Sequence, residues 1–312
     1  MRTIYESHPE SLIVDSLFFE CLMYVFFEKK HIIPQTCYGS IKGKGQHKLR
    51  AEIIKLVHHR KNLFAYTGDT SKYYPTVSQE VLMDIFRQHI KDKWLLWLGE
   101  TCISRIPDMK GVALGLPSSN PIGHIYHAAL DWFVILTLKV RRYYRFCDDK
   151  WAFHKDSNYL HTIAREITAY SKDYLRQDIK SNWRILNCSE ERFECLGAMI
   201  NSHGAKLKKC SRLRIERNIK KRIRQNDPMT TLRSWGGIKG SLVNLNIGNL
   251  IKYWMETYPE FFQLLDSAYK TLYINRRRKK WHKKLEKILI YAADMRSDVN
   301  KKLYSYGLVN PS

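Results

Sequence analysis

Three carboxylates stand out by where they fall. Asp69 closes the run Leu63-Phe64-Ala65-Tyr66-Thr67-Gly68, and Asp148 and Asp149 sit side by side between two aromatic-rich runs, 143–147 and 150–154. Carboxylates gathered at the ends of neighbouring strands concentrate negative charge and are unstable without a counter-charge. Hard divalent cations take oxygen ligands and would supply it. Two Mg²⁺ ions, with Mn²⁺ as the alternative, suit in-line phosphoryl transfer. One activates the attacking oxygen and the other stabilises the leaving one. An Asp-Asp pair also has a plain structural use, because Asp favours turn geometry. The dipeptide alone does not decide between these uses.

The elements around the acids can be read from periodicity. The run 62–67 reads as a short buried strand. Val81, Leu82, Ile85, Phe86, His89 and Ile90 fall at helical spacing, as do Leu160, Ile163, Ala164, Ile167, Tyr170 and Tyr174. Residues 11–28 and 122–140 read as long apolar helices. The runs 143–147 and 150–154 read as a hairpin turning at Asp148-Asp149. Strands are expected again at 183–186 and 193–200, and the chain beyond 206 reads as mostly helical. The spacing therefore predicts an α+β class, helices layered on one antiparallel sheet.

Composition says what such a site would act on. The 312 residues include 53 Lys and Arg against 30 Asp and Glu, a formal net charge of +23, with 44% hydrophobic residues. That is enough apolar material for a sizeable core, and the charge attracts polyanions. It is unevenly placed: residues 201–312 hold 25 basic and 8 acidic residues, a net +17, which leaves +6 for the first 200. No apolar stretch is long and uninterrupted enough to span a bilayer, and no secretory leader is visible. The seven cysteines include no C-x-x-C pair, so neither a zinc knuckle nor a disulfide framework is indicated. A cytoplasmic protein with reduced thiols and no membrane partner is expected.

Ordered motifs then narrow the chemistry. The chain carries Asp69-Thr70-Ser71-Lys72-Tyr73-Tyr74-Pro75-Thr76-Val77, then Leu114-Gly115-Leu116-Pro117, then Tyr144-Arg145-Phe146-Cys147-Asp148-Asp149. Here it resembles the reverse transcriptases, RNA-directed DNA polymerases with a right-hand fold. Residues 69–77 match the family's first acidic motif, roughly D-I-x-x-Y-F-P-S-I, and Phe146 to Asp149 match its aromatic-x-D-D motif. Gly115-Leu116-Pro117 matches its G-L-P element and Cys195-Leu196-Gly197 its F-L-G turn. Ile179-Lys180-Ser181-Asn182 sits where the family has a lysine segment. The stretch from Cys37 to Gly45 is similar to a glycine-rich segment of bacterial members, and Ser234-Trp235-Gly236-Gly237-Ile238-Lys239-Gly240 echoes a thumb element.

The resemblance implies a right-hand polymerase fold: fingers at 1–61 with part of 80–110, a ferredoxin-like palm at 62–205, and a helical basic thumb and tail at 206–312. It implies that Asp69, Asp148 and Asp149 are the catalytic and metal-binding carboxylates, with the backbone carbonyl of Thr70 as a further ligand. Tyr74 would lie under the sugar and exclude a 2′-hydroxyl. Ser71, Lys72, Tyr73, Leu116, Pro117, Ser118, Asn120 and Lys180 would complete the nucleotide site, although Tyr73 reads equally as a core aromatic and Lys180 as a solvated lysine. Phe146, Cys147, Leu196 and Gly197 would contact primer and template. The implied partners are an RNA template, a DNA or RNA primer and dNTPs, with a structured RNA or a basic accessory protein as a further partner.

Two departures bear on these expectations. Most family members read Q-G-x-x-x-S-P after L-P, whereas this chain reads Ser118-Ser119-Asn120-Pro121-Ile122-Gly123-His124. That tilts the resemblance toward bacterial or phage retroelements of the diversity-generating kind, and predicts a looser template contact with reduced fidelity. Arg2-Thr3-Ile4 looks like the end of a fingers motif directly after Met1, so either the fingers are shortened or the sequence starts late. The basic run 276–287, with Trp281 and His282 inside it, mixes charge with an aromatic and suits a nucleic-acid backbone. A catalytically impaired, RNA-binding protein with a polymerase fold is the alternative.

Overall fold

The computed structural model describes residues 8–104, 111–113 and 115–275. The expectations placed on Arg2-Thr3-Ile4 and on the run 276–287 lie outside these residues. The chain divides into two compact units. One is formed by the residues up to Glu52 together with Arg60–Phe193, the other by Ile53–His59 and the chain from Glu194 onward.

The first unit begins with α1 (Pro9–Leu22), and α2 (Gln46–His59) runs out of it into the second. It continues as β1 (Phe64–Asp69), α3 (Gln79–His89), α4 (Lys93–Ile103), α5 (Ser119–Trp132), β2 (Tyr143–Phe146), β3 (Asp149–His154), α6 (Ser157–Asp173) and β4 (Arg184–Asn187). The four strands form one antiparallel sheet in the order β2-β3-β1-β4. This is a split βαββαβ arrangement, with helices carrying the crossovers. The central strands are covered on both faces, so Lys150, Trp151, Ala152 and Phe153 are all buried rather than alternating. The starts of α4 and α6 are fixed by side chains: Asp92 accepts from the Leu95 N–H at 2.8 Å and Asp156 from the Asn158 N–H at 2.8 Å. The apolar core under the sheet joins Phe18, Leu22, Phe26 and Phe86 to Tyr66, Ala152, Leu160 and Ile163.

Three local expectations are corrected. Each long apolar helix ends in a wider π-helical turn, at Met23–Lys29 and at Phe133–Thr137. Apolar spacing cannot distinguish a single wide turn from the regular period. The hairpin turns one residue earlier than expected, at Cys147-Asp148, with Cys147 at φ +51°. Asp149 already belongs to β3, opposite Phe146. The run 193–200 is two strands, β5 (Phe193–Cys195) and β6 (Ala198–Asn201), joined by Leu196 (φ +48°) and Gly197 (φ +78°). Two successive positive φ values make a tight hairpin turn. A third strand, β7 (Gly204–Leu207), completes this second sheet.

Among the described residues the second unit continues with four helices, α7 (Lys209–Gln225), α8 (Pro228–Leu242), α9 (Gly248–Thr257) and α10 (Pro259–Asn275). Asn226 closes α7 in the left-handed region, and Asp227 opens α8 by accepting from the Met229 N–H at 3.0 Å. Trp235 packs edge-on against Phe261, ring centroids 6.0 Å apart, beside buried Ile238 and Leu242. The fully buried Trp254 donates its indole N–H to Glu216 at 3.0 Å. Among the described residues no helix is long and apolar enough to cross a membrane.

Candidate active site

The sheet brings the acids together through register. β1 and β3 pair from Phe64 opposite His154 to Asp69 opposite Asp149, so two carboxylates end up as cross-strand neighbours. The turn residue Asp148 joins them, because its carbonyl accepts from the Thr70 N–H at 3.3 Å. A third segment runs alongside: the Ser71 N–H donates to the Asp178 carbonyl at 2.8 Å, and the Lys180 N–H to the Asp69 carbonyl at 2.9 Å. This pairing delivers the Lys180 ammonium to Asp69 Oδ2 as an ion pair.

Electrostatics follows from this crowding. The hydrogen bond to Asp69 holds the Lys180 ammonium above the usual lysine range. Burial pushes the Asp148 carboxyl up, and the neighbouring Asp69 charge adds to it. Behind the acids, fully buried Lys150 donates to Thr70 Oγ1 and to the Asp148 carbonyl at 3.0 Å. Burial, with Arg145 nearby, pushes this lysine down to about 8.

Do these residues fit a hard divalent cation? Among the described residues, no group of three or more His, Cys, Asp or Glu side chains is gathered into a metal cage. The donor set fits in kind. Asp69 Oδ1 is buried with no hydrogen-bond partner, and Asp148 resists ionisation beside it. Both features are what an added cation would relieve. Asp69 and Asp148 would hold it, with Asp149 and the Thr70 carbonyl as the further expected ligands.

The expected nucleotide residues separate into two groups. Half-buried Tyr74 donates its hydroxyl to Asn120 Oδ1 at 3.4 Å, and Asn120 Nδ2 donates to Ser40 Oγ at 2.5 Å. Ser71 is half-buried and Lys72 exposed, with Lys72 at φ +44°. The other group is taken up by packing. Tyr73 is buried and stacks on His127 at 4.6 Å. Ser118 is buried and gives both its N–H and its hydroxyl to Asp15 of α1, at 2.9 and 2.6 Å. Leu116 is buried, and Pro117 lines a shallow hollow against Leu12, Ile13 and Leu17 of α1. Phe146 ends β2, and Cys147 forms the turn with Asp148. Leu196 and Gly197 form a hairpin turn of the second unit, where the Gly197 carbonyl accepts from the Lys208 N–H at 3.0 Å.

Sequence reasoning missed Gly39, Ser40, Arg145 and Lys150 as parts of this site. The segment at 36–38 runs along β2: the Arg145 N–H donates to the Thr36 carbonyl at 3.0 Å and the Tyr38 N–H to the Arg145 carbonyl at 2.9 Å. A Cβ on Gly39 would stand 2.7 Å from Cys147 Sγ and 3.0 Å from the Cys147 backbone nitrogen. Glycine therefore lets this segment lie directly against the acidic turn. The run Tyr38-Gly39-Ser40 was the available signal.

No family model matches the sequence and no curated protein matches it. Solved structures do match. The chain superposes on telomerase from Candida albicans in complex with the TWJ fragment of telomeric RNA with a TM-score of 0.54 and 13% identity, over 95% of this chain and 53% of that one. It superposes on apo telomerase from Candida tropicalis with a TM-score of 0.50 and 12% identity, over 91% of this chain and 54% of that one. The fold is reverse-transcriptase-like. This chain spans about half the length of the telomerase chains it matches. At such identities the likeness is one of architecture, a mixed α/β chain with antiparallel sheets. Within this reverse-transcriptase-like fold, the register of β1 with β3 sets the acidic end.

Proposed function

We propose that the chain is an RNA-directed DNA polymerase, adding dNTPs to a primer 3′-hydroxyl by in-line phosphoryl transfer. The observation that carries this reading is the pairing of Asp69 with Asp149 beside the Asp148 turn, with one Asp69 oxygen buried and unpartnered and the other held by Lys180. Bound Mg²⁺ would activate the attacking hydroxyl by easing its deprotonation and would stabilise the charge on the leaving oxygen. The protein's own part is positioning and electrostatics. In this reading Lys180, beside Asp69, would meet the departing pyrophosphate as a cation. Tyr74, tethered to Asn120, offers a bulky ring beside the sugar and favours deoxynucleotides. The β1–β4 sheet is the palm in this reading and the α7–α10 unit the thumb.

The second unit supports a polyanionic partner. The exposed side of α7 carries Arg212, Arg214, Arg217, Lys220, Lys221 and Arg224, and Lys220 lies over the Tyr258 ring at 5.9 Å. One matched telomerase structure contains a fragment of telomeric RNA, in keeping with an RNA partner here. A bacterial or phage retroelement as the source rests on the Cys37–Gly45 stretch and on the departures at 118–124, and the genes beside this one test it. A second reading, an RNA-binding protein with an impaired active site, draws on the Lys180–Asp69 ion pair, which occupies one oxygen of a carboxylate a metal would need.

Poly-rA primed with oligo-dT in Mg²⁺, supplied with dTTP or UTP, separates these readings. Incorporation of dTTP well above UTP is expected. Incorporation of neither, with RNA binding intact, would favour the binder.

A further inference from the structure

Directly behind the acidic turn lies an ion pair that the proposed reaction does not use. Asp131 on α5 and Arg145 on β2 have completely buried side chains. Arg145 Nε donates to both Asp131 oxygens at 2.8 and 2.9 Å, and Nη2 donates to Oδ2 at 2.7 Å. Tyr143 donates its hydroxyl to Asp131 at 2.9 Å and the Cys37 thiol donates to it at 3.0 Å. The remaining arm of the guanidinium, Nη1, points the other way. It donates to the Cys147 carbonyl at 3.2 Å and to the Tyr73 hydroxyl at 3.4 Å, and meets His124 Nδ1 at 3.3 Å.

We propose that Arg145, anchored by Asp131, is a positioning residue that sets the Cys147-Asp148 turn and the Tyr73-Tyr74 segment relative to each other. The inference rests on the polymerase reading and names a part of that machinery which neither the motifs nor the carboxylates reveal. Cys147 adopts a positive φ that a residue with a Cβ seldom takes, so surrounding contacts must hold it there. Arg145 supplies one of them to the carbonyl of Cys147 itself, and the close approach of Gly39 to the Cys147 thiol and backbone nitrogen supplies another. Tyr73 is fixed by its stack on His127 and by the same guanidinium, and its neighbour Tyr74 faces Asn120.

A buried ion pair is weak evidence for stability, since well-packed apolar residues often do as well. Direction is what the fork adds: two faces bind Asp131 while the third reaches the turn. A lysine, as a point donor, cannot serve both sides. The nearby imidazoles fit this division of labour. Burial and the Arg145 charge push His124 well down, and burial with the Lys150 charge does the same to His127. Both stay neutral and add no competing cation.

The test compares the wild-type chain, an Asp131→Leu/Arg145→Met double variant and Arg145→Lys on poly-rA/oligo-dT with Mg²⁺ and dTTP. Melting temperature and RNA binding are measured alongside. The double variant should melt within about 5 °C of wild type, bind RNA normally and lose about 100-fold in kcat. Its KM for dTTP should move by less than about threefold, because uniform substrate binding is untouched. Arg145→Lys should show the same split to a smaller degree. A folded double variant extending at the wild-type rate overturns the inference. If that variant does not fold, Arg145→Lys decides by the same split. If neither folds, the pair is scaffold only and the inference falls. A wild-type chain that extends nothing removes the polymerase reading, and this inference with it, which is a distinct result from an active wild type with indifferent variants.

Discussion

The acidic end of the first unit and the helical second unit use positive charge in opposite ways. At the acidic end the cations are committed: Arg145 to Asp131, Lys150 to Thr70 and the Asp148 carbonyl, Lys180 to Asp69. They are held by protein groups and fix backbone. On α7, Arg212 is paired with Glu216, but Arg214, Arg217, Lys221 and Arg224 face solvent. Exposed cations contribute little to stability and are available to phosphates. The same residue types therefore build a site in one unit and present a surface in the other. Net charge alone would have merged the two.

Substitutions can break that contrast, and the largest effect belongs at the acidic end. Asp69→Ala removes both the partner of Lys180 and the unpartnered oxygen. Extension should fall by at least about 1,000-fold, on the scale of losing a principal transition-state stabiliser, while RNA binding measured by filter retention stays within error. Gly39→Ala should come next. Its new methyl meets Cys147 Sγ and the Cys147 backbone, so the turn must shift. A displacement near 1 Å costs about 100-fold in kcat, read by steady-state extension at saturating dNTP.

The second unit should respond in a different measurement. Arg214→Ala, Arg217→Ala and Lys221→Ala together should weaken RNA binding and flatten its salt dependence. The slope of log K against log salt should drop by about 2 to 3, near 0.7 to 0.9 per lost phosphate contact. At saturating template kcat should be unchanged. An unchanged slope would mean that α7 is an ordinary solvated face. The smallest effect belongs to the frame. Asp156→Ala removes the cap of α6 and should cost about 1 kcal/mol by urea unfolding, with extension per folded molecule unaltered.

Much of this was legible in the sequence. The strand leading to Asp69, the aromatic strands around Asp148 and Asp149, and the helices between them follow from local periodicity. What stayed hidden was set by distant partners. Arg145 reads locally as one residue in a strand; its meaning comes from Asp131 on a helix and from Cys37, 108 positions away in sequence. Ser118 reads in sequence as a nucleotide contact, while its N–H and hydroxyl go to Asp15, 103 positions upstream. The turn was misplaced by one residue because Asp favours turns in general, whereas the strained φ fell on Cys147 through contacts from Gly39 and Arg145. The break at Leu196-Gly197 escaped the strand reading because leucine seldom adopts a positive φ.

The central claim is that the acidic end performs template-directed nucleotide addition. Primer extension on poly-rA/oligo-dT with Mg²⁺ and dTTP, comparing the wild-type chain with Asp148→Asn and measuring RNA binding in the same samples, tests it most directly. The account predicts extension by the wild type and none by the variant, with equal RNA binding. Equal extension by both would contradict it.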